Sequence, residues 1–269
     1  MTALRFEKWQ ALGNDYVIVE RDRLPAPLTP AAVRRLCDRH AGVGADGVLE
    51  LAPPDEPGFV ARLRIFNPDG SEAELSGNGA REAILYLRRA GWTDARQFSI
   101  QTIAGEIRPT ILSDTTCRVD MGRAVLRHAG ESGGFRFQHV TVGNPQTAIR
   151  MPAPADVEAL DLAAVGPPIE RDPQFPDRTN VSWWAEAAPG VIRARIFERG
   201  AGETLSSGTG ACGAAIAYVL RGGESPVTVR LDGGELVVDV GEDLHVDLTG
   251  WAVPVFSGEL SADLLAERG

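Results

Sequence analysis

Two short loops in this chain carry groups that could move an acidic proton and bind an anion. Ser76–Gly79 reads Ser-Gly-Asn-Gly and Ser207–Gly210 reads Ser-Gly-Thr-Gly. Serine is a preferred helix N-cap, so each loop predicts a helix start whose backbone N–H groups and positive dipole end can bind a carboxylate. The candidate proton-transfer groups are Ser76 and Ser207, and the candidate carboxylate-binding positions are Gly77, Asn78, Gly208 and Thr209.

The two serines lie 131 residues apart, and the chain repeats itself at this interval. Three further segment pairs match in the same order: Leu12–Asp15 with Val142–Pro145, Arg62–Phe66 with Arg193–Phe197, and Ala104–Ile107 with Gly233–Leu236. In a single loop the glycines could serve close helix packing alone, but a matched pair favours a shared ligand. We expect two similar domains related by a pseudo-two-fold axis, with a cleft site in which the serines face one substrate atom from opposite sides.

Composition restricts the class of partner. The chain is 43% hydrophobic and 24% charged, which is typical of a globular protein, and its formal charge is −10. An acidic chain offers no field for a nucleic-acid backbone, and no segment has the length or apolarity of a membrane span or a leader peptide. These features predict a cytoplasmic protein with a small anionic substrate and no nucleic-acid or membrane partner.

Lys8 is the only lysine of the chain and lies outside any glycine-rich loop. A pyridoxal enzyme needs a lysine for its Schiff base, and a phosphate-binding Walker loop needs one as well. Both kinds of site are therefore disfavoured. The three cysteines, Cys37, Cys117 and Cys212, are widely spaced, which indicates buried small side chains and not a disulfide framework or a metal site.

The elements that would position the serines can be read from periodicity. Alternating or β-branched segments predict these strands: 6–19, 61–66, 98–103, 107–112, 137–149, 191–197, 227–231 and 236–240. A helix that is apolar on most faces is predicted after each loop, at 81–90 and 213–220, and one more helix at 154–165. The glycine-rich and charged stretch 120–134 is typical of a linker.

Several motifs together resemble the diaminopimelate epimerase family over nearly the whole chain. They are Ala11–Asp15, Gly42–Gly47, Asn67–Arg81, Gly143–Pro145, Thr179–Val181 and Glu198–Ala211. The resemblance implies an α/β (α+β) fold of two duplicated domains, each a mixed sheet or barrel wrapped around a central helix. It also implies no pyridoxal phosphate or other cofactor, no metal, and an interdomain site for a small amino acid. We place the domains at 1–122 and 123–255, with the segment 256–269 packing back on the first domain, and expect a homodimer.

The resemblance also assigns roles to individual residues. It implies that Ser76 and Ser207 hold the catalytic positions and that the two helix ends bind the α-carboxylate. The further implied substrate contacts are Asn14, Asn67, Asn144, Gln146, Asn180, Glu198 and Arg199.

Four positions depart from that family. Ser76 and Ser207 stand where the epimerases have cysteines, Gln146 where they have a histidine, and Glu82 where cysteine is common. A thiol at a helix N-terminus can become a thiolate at neutral pH, whereas a serine hydroxyl is far too weak an acid to hold that charge. A serine could therefore act only as a relay beside a true base. Glu198, Glu82 and Asp69 are candidates for that base, and Glu74 and Glu203 are less favoured candidates.

These four differences from the family leave several functions of the chain open. The chain can be an epimerase or isomerase that uses carboxylates, as in a phenazine-pathway branch of similar fold, or a lyase in which one lost base turns epimerisation into elimination. It can also be a non-catalytic binding protein. A double Cys→Ser variant of an ordinary epimerase is a further alternative, against which the differences at Glu82 and Gln146 argue.

Overall fold

The computed structural model of the chain describes residues 4–261 and residue 264. These residues form two compact units. The first runs up to Val119 and resumes at Trp251, and the second is Asp120–Gly250. The domain boundaries expected at 122/123 and 255/256 stay predictions. Within the described residues, no helix combines the length and apolarity needed to cross a bilayer.

Strands dominate both units. In chain order they are β1 (Leu4–Ala11), β2 (Asn14–Glu20), β3 (Gly47–Ala52), β4 (Ala61–Phe66), β5 (Glu72–Ala73), β6 (Ile100–Thr102), β7 (Gly105–Ile107), β8 (Pro109–Ile111), β9 (Thr116–Arg123), β10 (Val125–Ser132), β11 (Phe135–Val142), β12 (Asn144–Arg150), β13 (Asn180–Ala188), β14 (Val191–Glu198), β15 (Gly202–Thr204), β16 (Val227–Leu231), β17 (Gly234–Val240), β18 (His245–Trp251) and β19 (Val253–Leu260). The helices are α1 (Pro30–Cys37), α2 (Gly77–Arg89), α3 (Pro154–Glu158), α4 (Leu162–Glu170) and α5 (Gly208–Val219), with a short 3-10 turn at Arg21–Arg23.

The two units repeat one sheet topology. The repeated strand order is β19-β1-β2-β3-β4-β6-β7 in one sheet and β10-β11-β12-β13-β14-β16-β17 in the other, with β5 paired to β4 and β15 paired to β14. Beyond β17 the second sheet continues through β18, β9 and β8. The pairs β2/β3, β4/β6, β12/β13 and β14/β16 are parallel, and the other neighbours on these paths are antiparallel. The predicted α+β fold with an internal duplication is therefore confirmed.

A buried central helix packs on the sheet of each unit. Helix α2 packs against β1, β2, β3 and β19, and α5 packs against β11 to β14, β16 and β17. Every residue from 78 to 87 and from 208 to 218 is buried. Both helices begin one turn or more before the predicted starts, because Ser76 and Ser207 cap them directly and the glycines belong to the first turn.

The prediction of a linker at 120–134 is wrong. Residues 120–123 complete β9, and Val125–Ser132 is β10, the edge strand that pairs with β11. Most side chains of β10 are exposed, so the strand lacks the alternation of apolar and polar residues that identifies a half-buried strand. Charged residues on such an edge discourage pairing with other chains, which explains the composition of this stretch.

One further expectation is corrected by the structure. The helix expected at 154–165 is divided into α3 and α4, because Asp161 caps a new helix by accepting a hydrogen bond from the Ala164 N–H at 3.3 Å. The segment expected to pack on the first domain begins inside β19, which pairs with β1 along its length. The rest of that segment, apart from Ser261 and Leu264, lies outside the described residues.

Candidate active site

In the first unit, Ser76 is the N-cap of α2. Its backbone is extended, and its Oγ accepts a hydrogen bond from the Gly79 N–H at 3.1 Å. The Ser76 carbonyl accepts the Ala80 N–H at 2.8 Å. The first two amides of a helix have no acceptor within the helix, so the Gly77 end of α2 presents donors to an anion.

A tyrosine that the sequence analysis did not select reaches Ser76. Tyr16, on β2, donates its phenolic hydrogen to Ser76 Oγ at 3.1 Å, and its side chain is buried. A Cβ added at Gly47, the residue opposite Tyr16 on β3, would lie 2.5 Å from the Tyr16 ring and 2.5 Å from the Phe66 carbonyl oxygen. The last glycine of the Gly42–Gly47 motif therefore leaves the space that the Tyr16 ring occupies.

The structure brings Asn14 and Asn78 together. The Asn78 side-chain amide donates to Asn14 Oδ1 at 3.2 Å, and the Asn14 amide donates to Asp46 Oδ2 at 3.0 Å. Arg81 is fully buried and donates to Asn78 Oδ1 at 2.5 Å and to the Gly77 carbonyl at 2.9 Å. This network fixes the β1–β2 turn against the N-terminus of α2.

Asn67 lies in its own turn between β4 and β5. Its side-chain amide donates to Ser71 Oγ at 3.0 Å, and its backbone N–H donates to the Ser71 carbonyl at 2.8 Å. Asn67 is half-buried, so its amide lies at the surface of this turn. Asp69, a candidate base, is exposed, and hydrogen bonds from the Ser71 hydroxyl and backbone N–H lower its pKa, which makes it a weak base.

Glu82 lies in the second turn of α2 and is fully buried. Burial raises its pKa well above the ordinary value, Arg81 opposes this rise, and the charges of Asp15 and Asp46 add to it. Neither carboxyl oxygen has a hydrogen-bond partner of normal geometry among the described residues. Its assignment as a catalytic group stays a prediction, and complete burial argues against direct contact with a substrate.

In the second unit, Ser207 caps α5 in the same way but has a different partner. Its Oγ accepts the Gly210 N–H at 3.3 Å and donates to Glu198 Oε2 at 2.8 Å. The Thr204 hydroxyl donates to Glu198 Oε1 at 2.7 Å. Burial raises the pKa of Glu198, and the hydrogen bonds from Thr204 and Ser207 lower it. A carboxylate is thus in position to take the Ser207 proton.

Asn180 connects two loops of the second unit. It is buried, its amide donates to the Pro145 carbonyl at 2.9 Å, and its Oδ1 accepts the backbone N–H of Arg199 at 2.9 Å. The Arg199 side chain is exposed and donates to the Asp177 carbonyl at 2.7 Å. Asn180 therefore holds Arg199 in place, and the guanidinium lies at the surface.

Gln146 occupies the position that corresponds to Tyr16 in the repeat. It donates to Asn144 Oδ1, and its own Oε1 is buried without a partner among the described residues. A Cβ added at Gly213 on α5 would lie 2.8 Å from Gln146 Cβ. Gln146 thus fills the space that a glycine leaves, as Tyr16 does beside Gly47, but its side-chain amide donates to Asn144 and not to Ser207.

Three polar groups that could hold a metal ion lie on β9 and β18. Asp120, His245 and Asp247 present ligand atoms within 4.8 Å of one another. His245 Nε2 already binds Asp120 Oδ1 at 3.1 Å, and Asp120 Oδ1 also accepts the Gly122 N–H at 2.8 Å. None of the predicted site residues belongs to this group.

Of the residues missed by the sequence analysis, Tyr16 and Thr204 contact the predicted catalytic residues directly. Tyr16 lies 60 residues before Ser76, so only strand pairing brings them together. Thr204 lies in the Glu198–Ala211 motif, three residues before Ser207. This short distance in sequence is a signal from which its place near Ser207 could have been predicted.

Comparison with known proteins identifies clear relatives. The protein-family model described as diaminopimelate epimerase matches residues 6–127 and 139–254. The diaminopimelate epimerase of Azoarcus sp. strain BH72 is 41% identical over 275 residues, which cover 96% of this chain and 98% of the relative. That of Synechococcus sp. strain JA-3-3Ab is 41% identical, covering 95% of this chain and 97% of the relative.

Solved structures of more distant sequence share the fold. A Bacillus anthracis phenazine biosynthesis protein of the PhzF family superposes with a TM-score of 0.76 at 16% identity, covering 97% of this chain and 100% of that chain. A hydroxyproline epimerase from Agrobacterium vitis, with bound trans-4-hydroxy-L-proline, superposes with a TM-score of 0.70 at 16% identity, covering 97% and 93%.

Proposed function

Because the chain belongs to the diaminopimelate epimerase family and is a pyridoxal-independent isomerase of that kind, we propose that it transfers a proton at the α-carbon of a small amino acid. Glu198 is the base and acts through Ser207. Ser76 lies at the equivalent position of the other unit and is the second candidate proton-transfer group. The helix ends at Gly77–Asn78 and at Gly208–Thr209 are each a candidate binding position for an α-carboxylate.

The hydrogen bond of 2.8 Å between Ser207 Oγ and Glu198 Oε2 supports this mechanism most directly. A serine cannot carry the standing negative charge of a thiolate, but it can accept a proton while its own proton passes to a carboxylate. Burial raises the pKa of Glu198, which makes the ionised carboxylate a stronger base than an exposed one. The Glu198–Ser207 pair thus replaces the missing thiol.

We assign the remaining polar residues of the two half-sites to substrate binding. They are Asn14, Asn67, Asn144, Gln146, Asn180 and Arg199. The exposed guanidinium of Arg199, a residue whose backbone N–H donates to Asn180 Oδ1, suits a second carboxylate of the substrate. Diaminopimelate, which has two amino-acid ends, is therefore the first substrate to test, and a close dicarboxylic analogue is the second.

An isomerase or lyase reaction with a single base is the second candidate. It is favoured by one observation: Ser207 has a carboxylate partner, whereas Ser76 is hydrogen-bonded to the neutral phenol of Tyr16. In that reaction Glu198 removes the proton. The resulting carbanion is then protonated at another atom, or it expels a leaving group.

The experiment is deuterium wash-in at the α-carbon of LL- and meso-diaminopimelate in heavy water, followed by proton NMR. We expect Glu198→Gln to slow wash-in by about 10²- to 10⁴-fold, because it removes the base. Glu203→Gln, in which an exposed carboxylate that pairs with Arg195 is changed, should stay within about twofold of the parent protein. The rate should rise with pH through the raised pKa of Glu198, since only the carboxylate form accepts a proton.

The same measurement separates the alternatives. Diaminopimelate binding without any wash-in would support a binding protein and contradict the proposal. Full epimerase activity gained only after Ser76→Cys and Ser207→Cys together would favour an ordinary epimerase with both thiols replaced and would contradict a new substrate.

A further inference from the structure

A buried carboxylate that the proposed mechanism does not use lies at the end of α4. Glu170 is the last residue of this helix and is 1% exposed. Its Oε1 accepts the backbone N–H of Gly200 at 2.9 Å and a hydrogen bond from the Arg178 guanidinium. Its Oε2 lies 3.5 Å from Nε of Arg171, and its backbone carbonyl accepts the Thr179 N–H at 3.3 Å. One residue therefore joins α4 to two separate loops of the second unit.

The first of these loops is the tight turn between β14 and β15. The Ala201 N–H donates to the Glu198 carbonyl at 3.1 Å, and the φ of Gly200 is +82°. This bond and a positive φ at the third residue are typical of a type II turn. The N–H of Gly200 is not used by the bond that closes the turn, so it needs another acceptor, and Glu170 supplies it. Glu170 thus fixes the central peptide of the turn, which begins at Arg199.

The second loop lies just before β13. The φ of Arg178 is +58°, a left-handed conformation that is uncommon for residues other than glycine. Such a conformation persists only where the surrounding contacts hold it, and the guanidinium of Arg178 is bonded to Glu170. The N–H of Arg178 donates to the Phe175 carbonyl at 2.9 Å. The carbonyl of the same peptide group, that of Asp177, accepts Arg199 Nη1 at 2.7 Å. Glu170 therefore also fixes the carbonyl to which the Arg199 side chain is bonded.

Arg199 differs from its two arginine neighbours in its partner. Its guanidinium is bonded to a neutral carbonyl, whereas the guanidinium groups of Arg171 and Arg178 pair with the Glu170 carboxylate. The charge of Arg199 is therefore not offset by that carboxylate and suits an anionic ligand. Resting on the proposed function, in which Arg199 binds a second carboxylate of the substrate, we infer that Glu170 is a positioning residue for Arg199 and thereby sets the affinity for a dicarboxylic substrate. Glu170 is buried and acts only through Arg199.

The geometry at Glu170 offers two matched substitutions. Both side-chain bonds that reach the loops beside Arg199 end on Oε1. Glutamine carries a carbonyl oxygen that can take this place, so Glu170→Gln keeps both bonds and loses only the contact of Oε2 with Arg171. Arg171 is 69% exposed, and an ion pair with so exposed a partner contributes little. Methionine is an unbranched side chain with only a weak acceptor, so Glu170→Met fills the space and removes the bonds.

The first test needs no substrate and measures amide hydrogen exchange in the full chain. Glu170→Met should speed exchange of the Gly200 N–H about tenfold, because a hydrogen bond to a charged group is lost, and Glu170→Gln should stay within about threefold of the parent protein. Glu158→Met is the matched control, since Glu158 ends α3 and pairs with Arg193 at 2.6 Å, away from the turn. It should leave the exchange rate of Gly200 unchanged. Unchanged exchange in Glu170→Met would overturn the inference.

The second test uses diaminopimelate, with calorimetry for the Kd and wash-in for KM and kcat. Glu170→Met should raise Kd and KM about tenfold and leave kcat within about threefold, because Glu198 keeps its bonds to Thr204 and Ser207. Glu170→Gln should restore the parent affinity. In an Arg199→Ala background, Glu170→Met should change the Kd by less than about twofold, because a residue that acts through Arg199 then has nothing to position.

The outcomes separate this inference from the proposed function. An equal rise of the Kd in the two backgrounds would show a general loss of structure and would overturn the inference. If Glu170→Met does not fold, Arg178→Ala at an exposed position removes one bond at Oε1 and should raise the Kd in the same direction, so an unchanged Kd there would overturn it. Diaminopimelate binding to the parent protein without wash-in would contradict the proposed function alone, and the Kd values would still decide the role of Glu170. Absence of binding to the parent protein would overturn the inference.

Discussion

Ser76 and Ser207 occupy the same position in two copies of one motif, yet their hydrogen-bond partners differ. In the repeat, Asn67 of the first unit corresponds to Glu198 of the second. Tyr16 of the first unit likewise corresponds to Gln146 of the second. Only the second serine therefore has a carboxylate partner at 2.8 Å, and only the first has a phenol. The two serines of one repeated motif therefore have unlike hydrogen-bond neighbours.

Glu82 provides a prediction at the residue scale. Because burial raises its folded-state pKa, the folded protein holds this proton more tightly than the unfolded chain does. The resulting stability is fully present below the ordinary glutamate pKa of 4.5 and is lost as the pH rises through the folded-state pKa. We expect Glu82→Gln to gain in free energy of unfolding, relative to the parent protein, between pH 5 and pH 8 in urea titrations.

The exposed Glu74→Gln is the control for this comparison and should show no such change with pH. The result to look for is the difference in free energy of unfolding between the Glu82→Gln variant and the parent protein. If that difference is the same at pH 5 and at pH 8, the buried carboxyl does not titrate differently on folding.

At the scale of elements, glycines on strands and helices make room for the side chains that surround each half-site. Gly47 on β3 accommodates the Tyr16 ring, and Gly213 on α5 accommodates Gln146. Because a strand or helix holds its backbone in place, a methyl group at either position has to displace the neighbouring side chain. The glycine motifs of this chain therefore serve packing between elements as well as helix capping.

Gly47→Ala is the corresponding prediction. The added Cβ would meet the Tyr16 ring and the Phe66 carbonyl at 2.5 Å, so we expect a loss of about 3 kcal/mol in free energy of unfolding. Gly58→Ala is the control: no atom lies within 4 Å of its Cβ, but its φ is +97°, so a cost of about 1 kcal/mol is expected from backbone strain alone. Equal losses in the two variants would rule out the steric explanation.

At the scale of the whole molecule, the chain is an internal duplication with a discontinuous first unit. Each unit has its own hydrophobic core, one built around Val17, Leu36 and Val48 and the other around Phe137, Ile169 and Trp183. The last strand, β19, returns to pair with β1, and Leu260 joins the core of the first unit. The expected homodimer stays a prediction.

Deletion of residues 253–269 tests the dependence of the first unit on β19. The deletion removes one of the two antiparallel partners of β1, leaving the β1 backbone groups that face β19 unpaired and the core of the first unit open. We expect limited proteolysis to cleave readily before residue 119, while a fragment of residues 120–250 resists. A shorter deletion of residues 265–269 leaves β19 intact and is the control. Equal protection of both units after the longer deletion would contradict this account.

The amino-acid sequence by itself determined the features that depend on local chemistry. The duplication, the capping residues Ser76 and Ser207 and the positions of the glycines follow from spacing, capping preference and the absence of a side chain. The same local reasoning was wrong at β10, because an exposed edge strand has no apolar alternation to detect. It also gave one helix at 154–165, where a new N-cap at Asp161 divides it into two.

Only the tertiary structure decided which side chains meet. Tyr16 reaches Ser76 across 60 residues because β2 and α2 pack together, and Glu198 reaches Ser207 because the β14–β15 hairpin folds back beside the start of α5. Complete burial of Glu82 likewise follows from the packing of α2 on its sheet. Proton donor and acceptor roles depend on the partners of each hydroxyl, and those partners are set by long-range strand pairing, which no local pattern in the chain specifies.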